Sequence, residues 1–254
     1  METYPEKIKH ARAAVVEVLV SGTRRGTGFC VTADGYIVTA THVVGTPEVK
    51  GNQAVVNYEP DLSVRFSDGR TIVVKSVSNP SLEAAFHDIT VLKADTKTPQ
   101  FLHIGTQSSV EDGEEVYMTG FPFDVPTAVT YRGNVSAQFR IAAGTLSGTP
   151  VQNSTIHVQM PVAKGFSGSP LLRMSDDSVV GVVTNKLGGI NQKLDEVRQS
   201  INATKGQGQV TIMGVDPNAA TLEVINVLDN FLSAGAGWAI SIEYIKPVIE
   251  NLKK

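Results

Sequence analysis

The sequence has little cysteine, no long apolar run and little net charge. Each of these shortages bears on one feature: disulfide bonds, membrane spans or nucleic-acid partners. Its one cysteine, Cys30, rules out an intrachain disulfide. No apolar run approaches the ~20 residues that a membrane-spanning helix needs, so we expect no membrane span. The 22 lysine and arginine residues against 25 aspartate and glutamate residues leave a net charge of −3. This charge gives no reason to expect nucleic acid as a partner.

Secretion and cofactor signals are also missing. The first residues, "METYPEKIKHARAA", lack the apolar core of a secretory signal. Together with the single cysteine, this favours a reducing, cytoplasmic location. The chain has no Walker loop, dinucleotide fingerprint, HExxH motif or Cys/His cluster, so we expect no metal and no cofactor.

Short β-strand patterns fill the first two thirds of the chain. Segments such as "AAVVEVLV", "GYIVTAT", "DITVLKA" and "SVVGVVTN" are rich in Val, Ile and Thr. Turns such as "ADG", "SDG" and "EDG" separate them. Many short strands between Gly and Asp turns are typical of all-β sandwiches and barrels.

The pattern becomes helical near residue 187. Apolar residues recur at helical spacing in "INQKLDEVRQSINATKG" and again in "VDPNAATLEVINVLDNFLSAG". Asp216 is the expected N-cap of the second helix, with Pro217 at its first position. "GWAISI" then predicts a strand, and "EYIKPVIENLKK" predicts a final helix that begins or kinks near Pro247. The helical segment 187–234 is either a packed decoration or a lid or docking element.

Ser167 lies between two glycines in "GFSGSP". A nucleophilic serine needs an exposed hydroxyl on a sharp turn, a histidine that takes its proton and a carboxylate that orients the histidine. Such a turn can also aim the N–H groups of Gly165 and Ser167 at one point, as an oxyanion hole does. The alternative is an ordinary Gly/Ser loop in solvent.

His42 and Asp88 are the candidate partners of this serine. His42 ends "ADGYIVTATH", on a rigid strand, whereas the other four histidines are interpreted as exposed or structural residues. Asp88 opens the apolar strand "ITVLKA", where a carboxylate is rare unless something pairs with it. The alternative for Asp88 is a turn or strand-capping aspartate. The order His, Asp, Ser is that of chymotrypsin.

Four motifs together resemble the trypsin-like serine proteases, most closely the protease domain of the HtrA/Deg group. "GTGFCVTADGYIVTATHVV" resembles that group's "GSGF…GYIVTNNHVV", and "FSDGR…HDITVLK" resembles "DGR…DLAVLK". "GFSGSPLL" stands where the family has "GNSGGPL", and "GAGWAISIEYIKPVI" resembles its closing "GFAIP" strand and helix.

The resemblance implies two packed six-stranded β-barrels. Residues 1–113 would form the N-terminal segment and first barrel, and residues 114–254 the second barrel with the insertion and a C-terminal helix. It also implies that His42, Asp88 and Ser167 are the triad, and that Gly165 supplies an oxyanion N–H. The residues implied for substrate binding flank the serine turn and end the following strand: Pro161, Val162, Lys164, Thr184, Asn185 and Lys186.

Two departures from the family pattern bear on regulation. Phe166 replaces a polar residue beside the serine, so activation by a new N-terminus is not expected. Only two residues follow Leu252, so we expect no PDZ domain in this chain. The implied pocket contains no acidic residue, which favours a small or medium apolar residue before the scissile bond. Lys164 and Lys186 leave an acidic preference open.

The expected function is that of a serine endopeptidase acting on protein or peptide substrates through an acyl-enzyme. An activating protein partner that works through the helical insertion is part of this expectation. The alternative is a catalytically silent binding or scaffold protein on the same fold.

Overall fold

Two closed barrels of six antiparallel strands carry the fold. The computed structural model describes residues 3–50, 53–78, 84–105, 110–146, 149–186, 188–203, 211, 214, 216–232 and 235–252. The all-β, two-barrel architecture expected from the sequence is confirmed.

The first barrel has the strand order β1-β2-β3-β8-β7-β6. Its strands are β1 (Val15–Val20), β2 (Thr23–Cys30), β3 (Tyr36–Thr39), β6 (Leu62–Phe66), β7 (Thr71–Ser78) and β8 (Thr90–Ala94). A separate hairpin is formed by β4 (Gly45–Lys50) and β5 (Gln53–Tyr58).

The second barrel has the order β10-β11-β14-β13-β12-β9. Its strands are β9 (Glu115–Gly120), β10 (Val129–Leu146), β11 (Thr149–Val158), β12 (Pro170–Arg173), β13 (Val179–Lys186) and β14 (Gly237–Ser241). The predicted boundary after residue 113 falls between the two sets of barrel strands and stays a prediction.

The alternation of buried and exposed side chains along the strands explains how the barrels enclose a core. In β6, for example, Leu62, Val64 and Phe66 are buried and the residues between them are partly exposed, as a strand with one face on a core requires. β1 is buried on both faces, because it follows the helix α1 (Tyr4–Ala14) directly and contacts β9 of the second barrel. Ala11 and Ala14 of that helix belong to the same core cluster as Val15.

The helical insertion lies between two adjacent strands of the second barrel. Its helices are α4 (Gly188–Ala203) and α5 (Pro217–Leu232), which contact each other, and Arg198 donates to Asn226 Oδ1 at 3.3 Å. Asp216 Oδ1 accepts the N–H of Asn218 at 2.8 Å, as expected of an N-cap.

Among the described residues there are also three short α-helices and a 3-10 turn. α2 (Thr41–Val44) follows β3 directly, and α3 (Ala84–His87) precedes β8. After a 3-10 turn at Ile242–Tyr244, α6 (Lys246–Leu252) begins one residue before Pro247, as the proline predicts. Within the described ranges, no helix is both long enough and apolar enough to cross a bilayer.

Candidate active site

His42 is presented by the step from β3 into α2. Ala40 is extended, with φ −78° and ψ 140°, and the chain turns into the helix immediately after it. Thr41 and Val43 on either side of His42 are buried, whereas the histidine side chain is 43% exposed. The neighbours therefore anchor this segment and leave the imidazole accessible.

Asp88 holds His42 by two hydrogen bonds. The backbone N–H of His42 donates to Asp88 Oδ1 at 2.9 Å, and His42 Nδ1 lies 2.7 Å from Asp88 Oδ2. Because an ionised carboxylate only accepts, Nδ1 carries the proton and Nε2 is left as the acceptor nitrogen. Asp88 itself lies in a turn before β8, with φ +53°, rather than in the strand.

The carboxylate also changes the pKa of His42. Burial disfavours the imidazolium and lowers the pKa of His42, but the hydrogen bond and negative charge of Asp88 raise it by more. The net result is a His42 pKa above its ordinary value.

Ser167 lies in the loop between β11 and β12. Gly165 and Gly168 adopt φ values of +100° and +87°, which place them in the left-handed region. Phe166 N–H donates to Ala163 O and Ser169 N–H donates to Phe166 O, so the chain reverses twice in seven residues. The serine is consequently carried on a sharp turn.

Strand β2 of the first barrel holds this turn by hydrogen bonds. Thr27 of β2 donates its N–H to Ser167 O at 2.9 Å and its hydroxyl to Gly165 O at 2.8 Å. A Cβ placed on Gly168 would lie 2.0 Å from Thr27 O and 3.0 Å from Ala40 N. The serine turn therefore packs against the segment that leads into His42.

The N–H groups of Gly165 and Ser167 have no acceptor among the described residues. The carbonyl group of Lys164 accepts the N–H of Phe123 at 3.0 Å. Because C=O and N–H of a trans peptide point in opposite directions, the Gly165 N–H points away from Phe123. Two unengaged donors beside a serine are what an oxyanion hole requires.

Phe166, the unusual residue of the turn, is fully buried. Its ring lies 5.5 Å from that of Tyr131, and it belongs to the core of the second barrel. A Cβ on Gly120 would lie 2.9 Å from Phe166 Cδ1. Apolar packing therefore holds the turn at the position where the family pattern has a polar residue.

The residues predicted to line the substrate pocket are spread over different environments. Val162 is 2% exposed and packs against Gly237, and Thr184 is 6% exposed. Pro161 is partly exposed and Lys164 is exposed. Asn185 and Lys186 pair through their backbones with Trp238 and Gly237, but their side chains lie outside the described residues.

Some residues at the site were not singled out in the sequence. A cavity of about 710 Å³ is lined by Thr23, Arg24, Arg25 and Phe123. Thr27 lies within the motif "GTGF", but neither this motif nor the residues around Arg24 and Phe123 mark a contact with the serine turn. Of these residues, those of β2 lie about 100 residues or more from Phe123 and from the serine turn in the chain, so only the fold brings them together.

The two barrels, the His42–Asp88 pair and the glycine-flanked serine define a protein of the trypsin-like peptidase class. The family model of the trypsin-like peptidase domain matches residues 26–182, and the chain belongs to this family.

Curated relatives include two proteins named probable periplasmic serine endoprotease DegP-like. That of Hahella chejuensis is 28% identical over 84% of this chain and 37% of its own length. That of Brucella suis is 28% identical over 90% of this chain and 37% of its own length. The chain thus spans about 37% of the length of these relatives. Their names do not support the cytoplasmic location expected from the sequence.

Solved structures agree with the fold. The HtrA-type protease AlgW with a tripeptide has a TM-score of 0.61 at 17% identity, over 99% of this chain and 64% of that one. The active form of the Rv3671c protease of M. tuberculosis has a TM-score of 0.60 at 17% identity, over 97% and 86% of the two chains.

Proposed function

We propose that the protein is a serine endopeptidase in which Ser167 attacks the peptide carbonyl, His42 transfers the proton and Asp88 orients His42. The N–H groups of Gly165 and Ser167 stabilise the oxyanion. The observation that carries the proposal is the double hydrogen bond from His42 to the Asp88 carboxylate. It leaves the acceptor nitrogen of an exposed imidazole for the serine proton.

The reaction follows from these roles. Ser167 Oγ forms a bond to the carbonyl carbon as its proton passes to His42 Nε2, and the carbonyl oxygen becomes an oxyanion between the two N–H groups. The imidazolium then gives its proton to the leaving amine, and the C–N bond breaks to give an acyl-enzyme. Water, activated by the same imidazole, hydrolyses the ester.

Labelling with a fluorophosphonate tests the nucleophile. Wild type should label and Ser167→Ala should not. Ser169→Ala is a matched control, because the Ser169 hydroxyl is buried two residues away and has no hydrogen-bond partner among the described groups. Loss of labelling in both variants would contradict the assignment.

The same experiment separates the alternatives. A wild-type protein that never labels favours a catalytically silent scaffold. A protein that labels only after addition of a cell extract favours an enzyme that a partner activates.

We further propose that α4 and α5 control the site through a protein partner. Apolar side chains on these helices are strongly exposed, at 44% for Val197, 57% for Val224 and 62% for Val227. The helices also connect two paired strands, since Lys186 of β13 lies opposite Gly237 of β14.

The pairing of Lys186 with Gly237 shows where the insertion can be removed without changing either strand. Replacing residues 187–236 with Asn-Gly would close the two strands as an ordinary hairpin. A changed ratio of ester to protein cleavage supports control by the insertion. Unchanged cleavage of both substrates contradicts it and leaves the helices as packed decoration.

The substrate preference is proposed to be a small or medium apolar residue before the scissile bond. The contact between Val162 and Gly237 supports it, because a Cβ on Gly237 would lie 2.0 Å from Val162 Cγ2 and little space remains there. A series of peptides that differ only at this residue tests the proposal. Faster cleavage after aspartate than after alanine or valine would instead favour a role for Lys164 or Lys186.

A further inference from the structure

A series of hydrogen bonds connects the first barrel to the carbonyl group of Lys164. Arg24 of β2 donates from Nη1 to Pro122 O at 2.9 Å and to Val125 O at 3.0 Å. In the same loop, the N–H of Phe123 donates to Lys164 O at 3.0 Å. Loop 121–125 is therefore held on one side by Arg24 and holds the serine turn on the other.

Arg24 is itself fixed in position. Its Nε donates to Glu17 Oε2 at 3.1 Å, and its guanidinium carbon lies 5.8 Å from the centre of the Phe121 ring. The side chains of Arg24 and Glu17 are only 20% and 9% exposed. The N–H donors of an arginine form a rigid planar fork. One guanidinium group can therefore donate hydrogen bonds to a carboxylate and to two carbonyl groups at the same time.

The loop also lies directly against Gly165. A Cβ on Gly165 would be 2.3 Å from Phe121 O and 3.0 Å from Phe123 N. Because the Lys164 carbonyl and the Gly165 N–H belong to one rigid peptide, the bond from Phe123 sets the direction of that N–H. Without this hydrogen bond, the Lys164 carbonyl group would lose a donor that opposes rotation of the peptide.

We propose that Arg24 is a positioning residue for the oxyanion hole, acting through loop 121–125 on the Lys164–Gly165 peptide. This inference rests on the proposed function. The hydrogen bonds of the Arg24 side chain go to Glu17, Pro122 and Val125, and none goes to the serine or the histidine. Its effect is to place the Gly165 N–H where negative charge develops in the transition state.

The test compares Arg24→Met with Arg65→Met in the full chain. Arg65 Nη1 donates to the same Glu17 oxygen at 3.2 Å, so its loss removes a Glu17 partner without touching loop 121–125. For Arg24→Met we expect kcat for a peptide ester to fall about 10- to 100-fold with KM nearly unchanged, as for a displaced donor. Arg65→Met should keep the wild-type kcat. Arg24→Lys should recover part of the loss.

A double variant separates positioning from general destabilisation. If Arg24 acts through the Gly165 peptide, Arg24→Met should cost little further kcat in a Gly165→Ala background, whereas independent effects would multiply. Equal losses of kcat in Arg24→Met and Arg65→Met, or fully multiplicative losses in the double variant, would overturn the inference. A wild-type kcat in Arg24→Met would do the same.

The fluorophosphonate reaction distinguishes this failure from failure of the proposed function. If wild type reacts through Ser167 neither alone nor after addition of a cell extract, the proposed function itself is wrong. If wild type reacts and Arg24→Met reacts at the same rate, only the role of Arg24 is wrong.

Discussion

Substitution of Gly165 by alanine is the sharpest test of the oxyanion hole. The new Cβ would lie 2.3 Å from Phe121 O, a backbone atom that cannot rotate away. To reach an ordinary contact of ~3.4 Å, the Lys164–Gly165 peptide or loop 121–125 must move by about 1 Å. A displacement of this size costs about 10²-fold in rate, and complete loss of one donor costs about 10²–10³-fold in kcat, or ~2.7–4 kcal/mol.

The variant carries a second effect that needs a control. Alanine at φ +100° is strained, by about 1–2 kcal/mol, whatever surrounds it. Gly69 adopts φ +88° with open space around its Cα, so Gly69→Ala has the same strain without the contact. We expect both variants to lower the melting temperature by a few degrees, about 2–4 °C per kcal/mol for a chain of this size. Only Gly165→Ala should lose kcat.

The assay is steady-state cleavage of a peptide ester by both variants, alongside thermal unfolding followed by circular dichroism. A folded Gly165→Ala protein whose kcat stays within about threefold of wild type would refute the reasoning. So would an equal loss of kcat in Gly69→Ala, because the effect would then come from backbone strain and not from the displaced N–H.

Four further predictions concern protonation and packing. The acid limb of kcat/KM against pH should lie above the ordinary histidine pKa of ~6.5, because the proposed base is neutral His42 and Asp88 raises the His42 pKa. Asp88→Asn should move this limb to lower pH and reduce kcat by up to about 10⁴-fold. Cys30 is fully buried with its pKa raised to about 12, so it should react with a thiol reagent only after unfolding. Lys7→Met should cost about 1–3 kcal/mol in unfolding free energy, measured by urea denaturation, because it leaves the partly buried Asp177 without its 2.8 Å partner.

Local patterns predicted the all-β class and the later helices, and the family resemblance predicted the two barrels, but neither predicted the helix α1 or the β4–β5 hairpin. Alternating Val and Ile residues between Gly/Asp turns are confirmed as barrel strands, and Asp216 with Pro217 as a helix start. The contact between His42 and Asp88 follows the sequence-based pairing, although their catalytic roles stay predictions. Each of these features is encoded within a few residues or within a motif.

The remaining parts of the site depend on contacts between distant segments. Thr27 and Gly165 are 138 residues apart, and Arg24 and Pro122 are 98 apart. A threonine or an arginine in a strand has no neighbouring residues that reveal which carbonyl group it will reach. The left-handed φ of Asp88 could not be predicted either, because the sequence pattern predicts this residue as the first of a strand.

One strand connects these distant contacts. β2 gives Thr27 to the Ser167 and Gly165 carbonyl groups and Arg24 to loop 121–125, while β3, its neighbour, leads into His42. The second barrel packs Phe166 into its core, and its strand β13 also bonds the turn through the backbone, because Gly168 N–H donates to Val183 O at 2.6 Å and Val183 N–H donates to Ser169 O at 2.9 Å. A buried phenyl ring resists displacement but does not orient a peptide, since it makes no hydrogen bond. The side-chain hydrogen bonds that hold the proposed oxyanion donors come from the first barrel, from Thr27 directly and from Arg24 through loop 121–125. A force that separates β2 from the serine turn should therefore reduce kcat before it unfolds either barrel.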